Sequence, residues 1–173
     1  MKMKLIMETF SRSMGSLLAE QQNFIMQPRS YNEMIKNLFY LQLGSENLQN
    51  YLDSNVKGLT QWRSDVNPGN TIVPRAREIF KILGLNPDLG GVTDPKNLFT
   101  SQVVGIAADD QQRIIKMAQG IKTNIARIQQ ICEEENKPSL YAPLQKAYNE
   151  TIEQLSFIRP QIEKILSLFN KQG

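Results

Sequence analysis

Apolar residues recur at steps of three and four along most of the chain, and the two longest such runs lie between Asp109 and Phe169. That spacing puts side chains on one face of an α-helix. In the first run Ile114, Ala118, Ile121, Ile125, Ile128 and Cys132 form a narrow stripe, as on a helix seated along one neighbour. Tyr141, Leu144, Tyr148, Ile152, Leu155, Ile158, Ile162, Ile165 and Phe169 form the second, flanked late by Phe157, Leu166 and Leu168. The widening calls for more than one neighbour at the C-terminal end. A short link containing Pro138 separates the runs, so the pattern predicts an antiparallel helical hairpin. Pro160 lies inside its second arm, where a missing N–H predicts a kink or a restart.

Upstream, Met3, Ile6, Met7, Phe10, Met14, Leu17, Leu18, Phe24 and Ile25 predict a first helix from Met3 to Ile25, ended by Pro28. Ser30 and Glu33 have the spacing of a capping box, which predicts a new helix start there. Its apolar face continues through residues 31–57 as one helix with a flaw at Gly44, or as two joined there. Residues 62–70 read as turns around Trp62. Pro74 opens a short helix carrying Ile79, Phe80, Ile82 and Leu83, and Gly84 follows its end. After a loop at 85–92, Asp94-Pro95 caps another short helix through Leu98, Phe99, Val103 and Val104. No stretch alternates convincingly enough for a strand, and there is no internal repeat.

The fold class is therefore all-α: a multi-helix bundle of five to seven helices built around the C-terminal hairpin. The organisation is one domain, with N-terminal helices in 1–60, a Pro/Gly-rich connector with short helices in 61–108, and the hairpin in 109–173. A chain of 173 residues buries enough surface to need no metal or disulfide. Its single cysteine, Cys132, excludes an internal disulfide and suits a reducing compartment. The apolar run Leu5-Ile6-Met7 ends at Glu8, too short for a signal peptide or membrane span. The expected location is the cytoplasm, or a particle assembled inside the cell, with no membrane partner.

Charge narrows the function. Residues 1–60 carry 6 basic and 5 acidic side chains, 61–108 carry 5 and 4, and 109–173 carry 9 and 8, so basic charge is not concentrated on one element. The chain has no histidine, which removes the commonest general base and metal ligand at neutral pH. The acidic runs Asp109-Asp110 and Glu133 to Glu135 sit at opposite ends of one predicted helix, roughly 35 Å apart. Residues 65–70 begin like a calcium loop, but Ala76 stands where the closing glutamate belongs. No catalytic residue, metal or cofactor is expected, and the chain is read as a non-enzyme.

What remains is binding. Met3, Met7, Phe10 and Met14 form an adaptable apolar face, and Trp62, Arg63, Arg75 and Arg77 are residue types enriched at interface hot spots. Thirty Asn and Gln residues add neutral hydrogen-bonding surface. The leading reading is a structural or adaptor subunit of a multi-protein assembly, such as a virus or phage particle, with other protein chains as homo- or hetero-oligomeric partners. A nucleic-acid-associated protein using Arg63, Arg75, Arg77 and Lys81 is the alternative, and a carboxylate-dependent enzyme the second alternative.

Overall fold

The computed structural model describes residues 23–55, 67–89, 92–138 and 141–170. They are mostly helical: α1 (Pro28–Asn55), α2 (Val73–Ile82), α3 (Ala108–Glu135) and α4 (Ala142–Asn170), with a single helical turn at Pro68–Thr71 and a 3-10 turn at Pro95–Leu98. Two three-residue strands, β1 (Phe24–Met26) and β2 (Val104–Ile106), pair antiparallel with Phe24 opposite Ile106. Phe24, Ile25 and Val104 were expected at the ends of helices. A strand of three residues is too short to show alternation, so periodicity could not separate it from a helix end.

Helix α4 lies between two neighbours. Its buried residues include Tyr148, Thr151, Leu155, Ile158, Ile162, Ile165 and Phe169. Against α3, the Tyr148 hydroxyl donates to Glu135 Oε1 at 3.1 Å, while Ile115 and Asn170 line one groove at the far end, so the two helices run in opposite directions. Against α1, Lys164 meets Glu33 at 3.4 Å and Tyr51 lines a groove with Glu150, which makes that pair antiparallel too. Residues 24–55 thus cover the wide C-terminal end of α4, and Phe24 stacks on Phe169 with centroids 5.1 Å apart.

Gly44 sits mid-way along α1, which runs unbroken. A Cβ built there would stand 3.4 Å from Ile158 Cγ1, so the glycine marks a close approach of α1 to α4 rather than a joint. The capping-box expectation at Ser30 is overturned. Tyr31 N–H already bonds the Gln27 carbonyl at 2.9 Å, and Pro28 opens the helix instead of ending one. Glu33 turns to Asn37 and Lys164. Its carboxyl is held below the usual range: burial pushes it up, but the Asn37 hydrogen bond and the charges of Lys36 and Lys164 outweigh that.

The helix α2 stop is as expected and complete in detail. Gly84 has φ +79°, its N–H bonds the Lys81 carbonyl, and Leu85 N–H bonds Phe80, both at 2.9 Å. These are the two bonds of a Schellman ending. Asp94 caps Lys96 N–H at 3.0 Å, but the cap opens only the 3-10 turn, and Val103 is exposed.

Pro160 does not break α4, which is continuous from Ala142 to Asn170. The proline is exposed, as is Ser156, whose carbonyl loses its helical donor, so water can satisfy that oxygen. Tyr141 is another correction: it precedes α4 and is 73% exposed, and Phe157 on the outer face is 62% exposed.

Asn32 ties the start of α1 to the segment before β2. Its amide donates to the Thr100 carbonyl at 2.9 Å and its carbonyl accepts the Thr100 N–H at 2.9 Å. Replacing Asn32 with Ala removes both bonds and leaves part-buried backbone unpaired; we expect a loss of about 1–3 kcal/mol in urea unfolding. At Gly44, alanine fits and raises helix propensity, so Gly44→Ala should be neutral or stabilise by about 0.5–1 kcal/mol. Gly44→Leu must push Ile158 away and should cost about 1–3 kcal/mol in the same assay.

Candidate protein interface

The sequence-selected residues separate into two groups. Met3, Met7, Phe10, Met14, Trp62 and Arg63 lie outside the described residues. Arg75 and Arg77 lie on α2, half-buried and turned inward. Arg75 donates through Nη1 to the Thr71 carbonyl, and its side chain lies against Gly120 of α3, where an added Cβ would meet Nε at 2.8 Å. Arg77 donates to the Pro87 carbonyl at 3.2 Å, an oxygen that also accepts from Gln42 Nε2 at 3.0 Å. The two arginines therefore fix the single turn and the loop after α2, while Lys81 is exposed. Neighbouring charge is offset locally: Arg113 on α3 bridges Glu78 at 3.0 Å and Asp110 at 3.4 Å.

The acidic run at the end of α3 meets neutral donors. Gln129 and Gln130 reach forward one turn to Glu133 and Glu134, each at 3.0 Å, and Tyr148 holds Glu135. Among the described residues, no group of three or more Cys, Asp or Glu side chains is placed to hold a metal ion. None of the described helices is long and apolar enough to cross a membrane.

Cys132 is 2% exposed and lines a cavity of about 20 Å³ with Leu52, Pro68, Ile128, Ile131 and Thr151. Burial, with the charges of Glu135 and Glu133, pushes its thiol up to about 12. The stripe position in the sequence pointed to a buried small apolar group, and the geometry agrees.

Two open grooves follow the flanks of α4. One, about 280 Å³, lies between α1 and α4 and is lined by Asn47, Leu48, Tyr51, Glu150 and Gln154. Burial, then the charge and hydrogen bond of Glu150, raise the Tyr51 hydroxyl above its ordinary value. The other, about 400 Å³, lies between α3 and α4. Each groove holds one carboxylate, Glu150 or Glu163.

Along the α1–α4 seam, the stretch between the Glu33–Lys164 ion pair and the Tyr51 groove carries large apolar side chains left open. Tyr40 is 42% exposed, Leu43 36% and Phe157 62%. Tyr40 and Leu43 are one turn apart on α1, and the close approach of Gly44 to Ile158 puts Phe157 level with them. The pattern hinted at Phe157 only as core, because a stripe edge one position wide does not say which side is covered. No family model, curated protein or solved structure matches the chain.

The thiol gives a pH test. A Cys132 held neutral in the folded state contributes stability below its ordinary value of 9.0, and that contribution is lost as pH rises from there to about 12. Urea midpoints should fall over that range, and less steeply in Cys132→Ala. A thiol-specific reagent at pH 8 should label the native protein only at the rate of unfolding.

Proposed function

We propose that the protein is a non-enzymatic structural or adaptor subunit of a multi-protein assembly. It presents helical faces to other protein chains, with the hairpin 109–169 as the spine of a bundle of five to seven helices. The observation that supports this most is the row of Tyr40, Leu43 and Phe157 on the α1–α4 seam. Single exposed apolar residues are ordinary on a protein surface, but adjacent ones rimmed by polar groups mark places where proteins dock. Here the rim is Asn47, Glu150 and Gln154 on one side and the Glu33–Lys164 pair on the other. Aromatic anchors inside a polar rim are the usual anatomy of an interface.

Even charge favours a protein partner over nucleic acid, and the inward bonds of Arg75 and Arg77 favour it further. Sedimentation velocity over a wide concentration range, together with native pull-downs, tests the reading. Tyr40→Lys and Phe157→Lys sit on the surface and should leave the melting temperature unchanged while weakening association at least tenfold, about 1.4 kcal/mol. A strictly monomeric protein with no partner in native pull-downs would overturn it, as would association that ignores both substitutions.

A further inference from the structure

The face that α1 and α4 share around Phe157 carries an order of charges that is its own complement. On α4, Glu150, Phe157 and Lys164 stand seven residues apart, so all three share one side of the helix, with each charge about 10 Å along the axis from Phe157. That side is the flank toward α1, since Glu150 lines a groove with Tyr51 and Lys164 meets Glu33 at 3.4 Å.

Net charge follows the same order. At one end Lys36 also acts on Glu33, so Lys36, Lys164 and Glu33 together carry one net positive charge. At the other, Lys146 and Glu150 lie 4.0 Å apart and exposed Glu153 follows one turn on, which leaves those three with one net negative charge. Between the ends the exposed side chains are apolar or neutral: Tyr40, Leu43 and Phe157, with Asn47 and Gln154.

A two-fold axis at Phe157 reverses this row onto itself. Glu150 then meets Lys164 of a second copy, Lys164 meets that copy's Glu150, and Phe157 lies on its own equivalent. Glu153 falls opposite Gln161, so no like charges are brought together on this side of α4. An unrelated chain would have to supply the matching order, whereas a second copy has it by symmetry. Area is also sufficient: helices of 28 and 29 residues side by side present about 40 Å by 20 Å, the roughly 800 Å² per partner of a standard interface.

We propose that this face is the contact of a homodimer, in which a second copy of this chain lies antiparallel across α1 and α4 about a two-fold axis at Phe157 and exchanges the Glu150 and Lys164 contacts. The proposal rests on the reading of the seam as a protein interface, and it names the partner.

Charge exchange in the full chain tests it. Sedimentation of the parent should show a monomer–dimer equilibrium that moves with concentration. Glu150→Lys and Lys164→Glu alter side chains that reach solvent, so each should melt like the parent. Either one alone sets like charges opposite each other twice per dimer and should weaken self-association about tenfold. An equimolar mixture of the two single variants should recover a dimer with one copy of each, to within about threefold of the parent affinity, and so should the double variant with itself. A parent that stays monomeric, a dimer that ignores both charges, or single variants that do not recover on mixing would each overturn the proposal. Its failure is distinct from that of the interface reading. A monomeric parent that holds a different chain in native pull-downs, and releases it on Phe157→Lys, keeps the seam as an interface and excludes the second copy.

Discussion

The fold depends on burying α4 from two sides at once. A helix with a single neighbour needs only a narrow apolar stripe, whereas α4 buries Tyr148, Thr151, Leu155, Ile158, Ile162, Ile165, Leu168 and Phe169. Those side chains must meet α3 along one flank and α1 along the other, and both neighbours run opposite to it. Gly44 lets α1 come close, and the isoleucine-rich stripe of α3 closes the second side. Once those surfaces are joined, α2 and the single turn at Pro68–Thr71 fill the remaining side through Ile72, Ala76, Ile79 and Phe80, all fully buried.

That arrangement explains which sequence signals were readable. The stripe from Ile114 to Cys132 is buried at every position, and the one neighbour that its narrowness suggested is in fact two, α4 and α2. The end of α2 was equally legible, since a glycine just past an apolar run supplies the left-handed residue that a Schellman ending needs. Signals failed where a local preference met a tertiary demand. The Ser30–Glu33 spacing rightly marks a helix start, which lies two residues earlier at Pro28, but not the capping box, since Glu33 is taken up by Asn37 and by Lys164 of a distant helix. Pro160 imitates a break, yet its exposed position lets α4 continue. Phe24 and Ile25 extend a helical pattern but pair with residues eighty positions away, and no local window contains that partner.

The candidate interface was less legible than the core. Periodicity tells that a residue lies near a stripe, and it does not tell whether the neighbouring helix reaches far enough to cover it. Phe157 illustrates this: one position from Ile158, which is buried, it stands open. Arg75 and Arg77 fail in the reverse sense. Their type suggested a surface role, but a guanidinium has several donors on a long stem, and here these reach the carbonyls of Thr71 and Pro87. The absence of histidine limits acid–base chemistry near neutral pH whatever the surface does.

The ribbon of β1 and β2 also bears on the order in which the molecule is assembled. It joins Phe24 to Ile106 across nearly half the chain, and has only three residues in each strand. Closing so long a loop for so few bonds is entropically unfavourable until α1 and α3 are already anchored on α4. The ribbon is therefore a late event in folding and an early one in unfolding, and its amides should exchange through local opening well before those of the helical core. The end of the bundle where Phe24 meets Phe169 is then held by buried side chains, Phe24, Met26, Ile106 and Phe169, more than by the ribbon's few backbone bonds.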